Sequence, residues 1–231
     1  MLGSLPLKLF TAAAAVEVAA VTIGLPGLTR PLLAPLLIWH ILKIRKNSDM
    51  VVWGLALAAL GDLALLIPNR AGLLASMVFF LGTLISLTLA FLNRAKPLPA
   101  PSAIFALLAV SANALVGDRL GALRVPVLFY SLALAAMAAA AAGVSPMLAA
   151  GGVLFVISDV LTGLGAVSGA HLPVIAAATH ALALGLIATG WTRIANVDEP
   201  SRPWRSRALP QHQLGRELDP RGLQPLAVDQ A

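Results

Sequence analysis

Two aspartates lie inside long apolar stretches of the chain: Asp62 within Leu-Gly-Asp-Leu and Asp159 within Ile-Ser-Asp-Val. An aspartate near the middle of a membrane-spanning helix costs about 2.5–3.5 kcal/mol, so it usually faces the interior of a helical bundle and has a function. Two carboxyl groups in a medium of low dielectric cannot easily ionise together, which favours one acid and one carboxylate. The pattern indicates acid/base catalysis. The alternative is that each aspartate bonds a neighbouring helix and only stabilises packing.

Other polar residues in the apolar stretches are candidates for the same site. His180 follows Thr83 by 97 positions, which is also the offset between the two aspartates. Tyr130 and Ser131 could donate hydrogen bonds into a shared cavity, although a buried tyrosine usually finds some partner. Glu17 has no counterpart at the same offset, so structural and functional roles both stay open for it.

Two arginines stand at the start of apolar stretches, Arg30 before Pro31 and Arg124 before Val125. A guanidinium group can hold a phosphate through paired hydrogen bonds. It can also simply extend its charged end towards the membrane interface. We favour phosphate binding for Arg30 and the interfacial position for Arg124.

The composition excludes an ordinary soluble domain. Of 231 residues, 59% are hydrophobic and 11% are charged, whereas charged residues make up about a quarter of a soluble domain. The same figures exclude a disordered chain. The net charge of +6 does not indicate nucleic-acid binding, because most charges flank the apolar stretches. The absence of cysteine excludes disulfides and thiolate nucleophiles.

Sequence motifs of several enzyme classes are also missing. The chain has no Gly-x-Ser-x-Gly, no His-Glu-x-x-His, no Walker loop and no Gly-x-Gly-x-x-Gly before a helix. Asp62, Asp159 and His180 do not form a recognisable zinc pattern. We therefore expect carboxylate chemistry without a metal or a cofactor.

The length of the apolar stretches predicts the architecture. A bilayer core of about 30 Å requires roughly 20 helical residues. Fusing stretches at the two weakest breaks, after 142 and after 166, would give six spans instead of eight. We predict an all-α, polytopic transmembrane bundle in residues 1–195 and a disordered cytoplasmic tail in 196–231. The eight predicted spans are 8–25, 30–44, 50–67, 72–92, 100–116, 123–142, 146–166 and 172–194.

The distribution of lysine and arginine predicts the orientation. With eight spans, the side that carries both termini holds twelve of these residues and the opposite side holds four. Both termini are therefore expected in the cytoplasm, in a protein of the cell membrane. Asp62 lies twelve residues after Met50, and Asp159 thirteen after Pro146. Both carboxyl groups should lie roughly 18–20 Å into the membrane.

The equal offsets raise the question of an internal repeat. Four predicted spans separate the two aspartates, so both halves of a duplicated protein would have the same topology. A tandem repeat of two four-helix units is one interpretation. Chance similarity between helices rich in leucine and alanine is the other.

Four segments resemble the YhhN-type lysoplasmalogenase family. They are Arg-Pro-Leu-Leu-Ala-Pro-Leu-Leu from Arg30, Leu-Gly-Asp-Leu-Ala-Leu around Asp62, Val-Leu-Phe-Tyr-Ser around Tyr130, and Gly-Val-Leu-Phe-Val-Ile-Ser-Asp ending at Asp159. Their order and spacing match helices two, three, six and seven of the family. The resemblance covers about residues 8–194. Members usually carry Lys in place of Arg30.

The resemblance implies eight transmembrane helices and hydrolysis of the vinyl-ether bond of lysoplasmalogens, which gives a fatty aldehyde and a glycerophospho-amine. It implies Asp62 and Asp159 as the catalytic pair. We expect Arg30, Tyr130, Ser158, His180 and Thr83 to contribute to substrate binding. The expected partners are a lysophospholipid-type substrate and membrane lipids, with no nucleic acid. The alternative function is a proton-coupled carrier that uses the same carboxylates.

Overall fold

The computed structural model describes residues 4–25, 29–45, 48–168 and 172–198. Within these ranges it contains eight α-helices, one short 3-10 turn at Gly121–Leu123 and no strand. The prediction of an all-α fold with eight helices is confirmed. From residue 199 onward, the predicted disordered tail lies outside the described residues. The helices are α1 (Leu5–Thr22), α2 (Arg30–Arg45), α3 (Met50–Leu65), α4 (Arg70–Leu92), α5 (Pro99–Leu120), α6 (Arg124–Val144), α7 (Pro146–Ser168) and α8 (Pro173–Asp198).

The start of α2 falls at Arg30, although two prolines follow within the helix. Pro31 lies in the first turn, where a backbone N–H would have no partner inside the helix in any case. Pro35 lies one turn further along, and the helix continues through it to Arg45. The two span boundaries that the sequence predicted most weakly, before Pro146 and before Pro173, both separate helices in the structure.

Side-chain caps fix where α3 and α4 begin. The Asp49 carboxylate accepts hydrogen bonds from the backbone N–H groups of Val51 and Val52, as the first turn of a helix requires. The Asn69 side chain accepts in the same way from Gly72. Because α3 begins at Met50, Asp62 lies near its far end.

Asp49 also joins three helices at the end of the bundle that we predict to be cytoplasmic. Its Oδ2 atom lies 2.6 Å from Arg45 Nη1, and it accepts a hydrogen bond of 2.7 Å from Trp191 Nε1 on α8. The guanidinium groups of Arg45 and Arg94 lie 5.2 and 5.3 Å from the centre of the Trp191 ring, within the range of a cation–π interaction. This contact network ties the ends of α2, α3, α4 and α8 together.

Several apolar helices indicate a multi-pass membrane protein. By length and composition, five of the described helices could cross a bilayer: α1, α4, α6, α7 and α8. Large apolar side chains point outward, such as Val78, Trp53 and Phe129, each more than 60% exposed. Such a surface is unsuited to water but suited to lipid tails.

Small residues allow the helices near the two aspartates to approach closely, as in other membrane bundles. Helix α3 packs against α2 and α4, and α6 packs against α7. A Cβ atom at Gly61 would lie 3.0 Å from the Phe80 ring, and one at Gly152 would lie 3.2 Å from the Ala138 backbone. These contacts bring α4 next to Asp62 and α6 next to α7.

Candidate active site

Asp62 is fully buried and lies beside a cation from another helix. Its Oδ1 atom is 2.7 Å from Nε of Arg30, the first residue of α2. The contact is an ion pair between a guanidinium group and a carboxylate. The Asp62 side chain is 0% exposed and that of Arg30 is 18% exposed. A buried carboxylate needs such a partner, because transfer of an isolated charge out of water is costly.

His180 on α8 approaches the other oxygen of the same carboxyl group. Its Nε2 atom is 3.6 Å from Asp62 Oδ2, and the histidine is 1% exposed. The imidazole ring packs against Phe80 of α4 and Phe155 of α7, with ring centres 6.2 and 5.6 Å away. Asp62 therefore lies between an arginine and a histidine.

Asp159 has a different kind of partner. The hydroxyl group of Tyr130 on α6 donates a hydrogen bond of 2.5 Å to Asp159 Oδ2. Asp159 and Tyr130 are both partly exposed on the protein surface, whereas Asp62 is buried. A neutral phenol, rather than a cation, thus holds the second carboxyl group.

These residues form a single polar cluster inside the apolar bundle. Asp159 interacts electrostatically with Arg30, His180 and Asp62 in addition to its hydrogen bond with Tyr130. The five residues come from α2, α3, α6, α7 and α8. The structure thus gathers the two aspartates, Arg30, Tyr130 and His180 in one place.

Two predicted binding residues have other contacts. Thr83 is fully buried and donates to the carbonyl of Phe79 in its own helix. Ser158 is fully buried and donates to the Ala176 carbonyl of α8 over 3.1 Å. Ser158 thus links α7 to α8 beside the cluster. A substrate contact for either residue stays a prediction.

Ser131 and Arg124 have contacts with α5. The Ser131 hydroxyl donates to the Leu128 carbonyl and accepts a hydrogen bond of 2.6 Å from Asn113 on α5. Arg124 is exposed and lies over Gly117, where a Cβ atom would be 3.1 Å from its Nε. Both residues face α5.

Sequence reasoning missed two contacts beside these helices. Thr29, directly before Arg30, donates a hydrogen bond of 2.6 Å to Glu17, which is 1% exposed. This bond holds the start of α2 against α1 and gives Glu17 a structural contact. Asn113 was not singled out, although an amide within an apolar helix was a usable signal of the same kind as the aspartates.

A comparison with known protein families agrees with this geometry. The model of the YhhN family matches residues 25–191, which include all five members of the cluster. No curated protein and no solved structure matches the chain. The matched segment runs from the end of the α1–α2 connection into α8 and covers most of the chain. The chain belongs to the YhhN family.

Proposed function

We propose that the chain is a membrane-embedded hydrolase that cleaves the vinyl-ether bond of lysoplasmalogens and releases a fatty aldehyde and a glycerophospho-amine. The observation that carries the proposal is one cluster with two carboxyl groups in unlike surroundings, Asp62 beside Arg30 and Asp159 beside Tyr130. Membership of the YhhN family suggests a lysoplasmalogenase-type hydrolase and supports this assignment.

The unlike partners suggest which carboxyl group is the acid. Asp62 lies against the permanent charge of Arg30 at 2.7 Å, and this contact favours the ionised carboxylate. Asp159 is bonded to a neutral phenol, which stabilises a carboxylate less than the charge of Arg30 does, and the negative charge of Asp62 acts on it. A proton is therefore more easily kept on Asp159 than on Asp62. We assign Asp159 as the acid and Asp62 as the carboxylate.

The reaction uses both groups. Asp159 transfers its proton to the vinyl carbon remote from the ether oxygen, and the carbon–carbon double bond supplies the electrons of the new C–H bond. The product is an oxocarbenium ion, which the negative charge of Asp62 stabilises. Water adds to the cation and gives a hemiacetal. Its C–O bond then breaks, the aldehyde leaves, and the hydroxyl proton returns to Asp159.

The water and the departing glycerol oxygen need a second proton carrier. It must lie on the Asp62 side of the site, accept one proton from the attacking water and pass it to the glycerol oxygen. Arg30 cannot do this, because a guanidinium does not lose its proton in proteins. The Arg30 side chain is 18% exposed and has donors beyond Nε, which suits the phosphate of the substrate.

Purified protein in detergent tests the proposal. Incubation with a lysoplasmalogen should release fatty aldehyde, read by mass spectrometry, whereas the matched saturated ether lipid should stay intact because it has no double bond to protonate. Asp62→Asn and Asp159→Asn should each abolish aldehyde release from folded protein. Normal turnover in both variants would defeat the assignment.

The uninterrupted helices α3 and α7 argue against the alternative function of a carrier. Transporters of this kind often bind their cargo at interrupted helices. Here α3 continues through Asp62 and α7 continues through Asp159 as regular α-helices. Movement of the lipid across vesicles without cleavage would nevertheless favour the carrier over the hydrolase.

A further inference from the structure

His180 is a buried histidine without a hydrogen-bond partner. Both of its ring nitrogens lack one, although the residue is only 1% exposed. A second buried histidine among the described residues, His40 on α2, is bonded through Nδ1 to the Ser4 hydroxyl over 2.9 Å. A buried polar group left without a partner is costly, so its occurrence calls for a functional explanation.

The unsatisfied atoms of the site lie together. Among the described residues, six buried side-chain nitrogen and oxygen atoms have no hydrogen bond. Two of them, Arg30 Nε and Asp62 Oδ1, contact each other in the ion pair, and three more are Asp62 Oδ2 and the two ring nitrogens of His180. Such a group of donors and acceptors suits a water molecule or a polar part of a substrate. It lies on the Asp62 side of the cluster, where the proposed reaction needs its second proton carrier.

We propose that His180 is this carrier: paired with Asp62, it accepts the proton of the attacking water and donates it to the departing glycerol oxygen. The inference rests on the proposed hydrolase function. An N–H on Nε2 directed at Asp62 Oδ2, 3.6 Å away, leaves the lone pair of Nδ1 as the acceptor. The carboxylate then orients the imidazole and stabilises its charged form, as in other Asp–His pairs.

The protons balance over one turnover. Asp159 gives one proton to carbon and regains one from the hemiacetal hydroxyl. His180 gains one proton when the O–H bond of water breaks, and it loses this proton to the glycerol oxygen when the C–O bond breaks. One water is consumed, and both residues return to their starting states. Asp62 and Asp159 both interact electrostatically with this ring, and Arg30 contacts Asp62.

His180→Gln tests the inference, because glutamine is polar and of similar length but cannot carry the proton. We expect kcat for aldehyde release to fall by about 10²-fold or more, with little change in KM. His40→Gln is the matched control, as it alters a buried histidine outside the cluster, and it should keep wild-type kcat. Should the His180→Gln protein not fold, His180→Asn is measured in the same way.

A reaction in D2O measures deuterium incorporation into the recovered substrate, which a packing defect would not produce. With the water step slowed, the oxocarbenium ion returns to the vinyl ether, so substrate recovered from His180→Gln should carry deuterium on the vinyl carbon that Asp159 protonates. Asp159→Asn should show neither exchange nor hydrolysis. Wild-type kcat in His180→Gln, or a low kcat without exchange, overturns the role of His180 alone. No aldehyde from the wild-type protein overturns the hydrolase function and this role together.

Discussion

The Tyr130 hydroxyl of α6 donates a hydrogen bond to Asp159 of α7. In a similar position, Arg30 of α2 forms an ion pair with Asp62 of α3. The two aspartates are 97 positions apart, but their partners are 100 positions apart and differ in chemistry. One carboxyl group therefore meets a charged donor and the other a neutral one. Two residues of the same type thus acquire different surroundings, which acid/base catalysis by a carboxyl pair requires.

Tyr130→Phe should slow turnover without unfolding the protein. The change removes one hydroxyl group and its 2.5 Å hydrogen bond to Asp159. The bond strengthens as Asp159 gives up its proton and becomes charged, and hydrogen bonds to a charged group contribute about 1.5–3 kcal/mol. We therefore expect kcat to fall roughly 10–100-fold. Aldehyde release at saturating substrate measures the effect. Ser131→Ala, one position along and bonded to Asn113, should behave as wild type; equal losses in both variants would indicate damage to α6.

Arg30→Ala should affect both kinetic constants. From sequence alone, phosphate binding predicts mainly a higher KM, but the contact of Arg30 Nε with Asp62 predicts a lower kcat as well. Arg30→Lys should recover part of kcat, because it keeps the charge but loses the planar group of donors. Arg70→Ala, at the start of α4, is the control. A change in KM alone would show that Arg30 serves only the headgroup.

Loss of Asp62 should destabilise the protein more than loss of Asp159. Removing one partner of a buried ion pair costs about 3–5 kcal/mol, and partial exposure of Arg30 places Asp62→Asn towards the lower value. In Asp159→Asn the amide oxygen can still accept from Tyr130, so its loss should be smaller. Thermal unfolding in detergent compares the two variants.

A double variant separates stability from activity at the same pair. Arg30→Met with Asp62→Leu replaces both charges by apolar side chains, which often restores stability. We expect its unfolding temperature to exceed that of Asp62→Asn, while aldehyde release stays absent. Recovery of activity in the double variant would contradict the role of Asp62.

The predicted topology can be tested by labelling, because the chain has no cysteine of its own. Lys96→Cys, between α4 and α5, should be protected in intact cells from a maleimide that cannot cross the membrane. Pro68→Cys, between α3 and α4, should react. A reporter fused after Gln230 should score as cytoplasmic. The reverse labelling pattern would invert the predicted orientation and place the aspartates near the cytoplasmic face.

Much of the helical architecture could be read from the sequence. Apolar length and breaker residues located all eight helices, since a bilayer requires a nearly constant helix length. The aspartates stood out because a carboxyl group in an apolar helix is costly. The network of Asp49, Arg45 and Trp191 was not foreseen, because Asp49 and Trp191 are 142 positions apart and no local pattern links them.

Which side chains meet was decided by tertiary structure. Successive residues of a helix point about 100° apart, so Tyr130 reaches Asp159 on α7 while Ser131 contacts Asn113 on α5. In the same way, Ser158 donates a hydrogen bond to Ala176 on α8, whereas the next residue, Asp159, accepts one from Tyr130 on α6. The sequence by itself determined that two carboxyl groups stand within apolar helices, and it predicts a similar membrane depth for both. The rotation and neighbours of each helix decided that Arg30 meets Asp62, because side-chain contacts depend on packing between helices that are far apart in the chain.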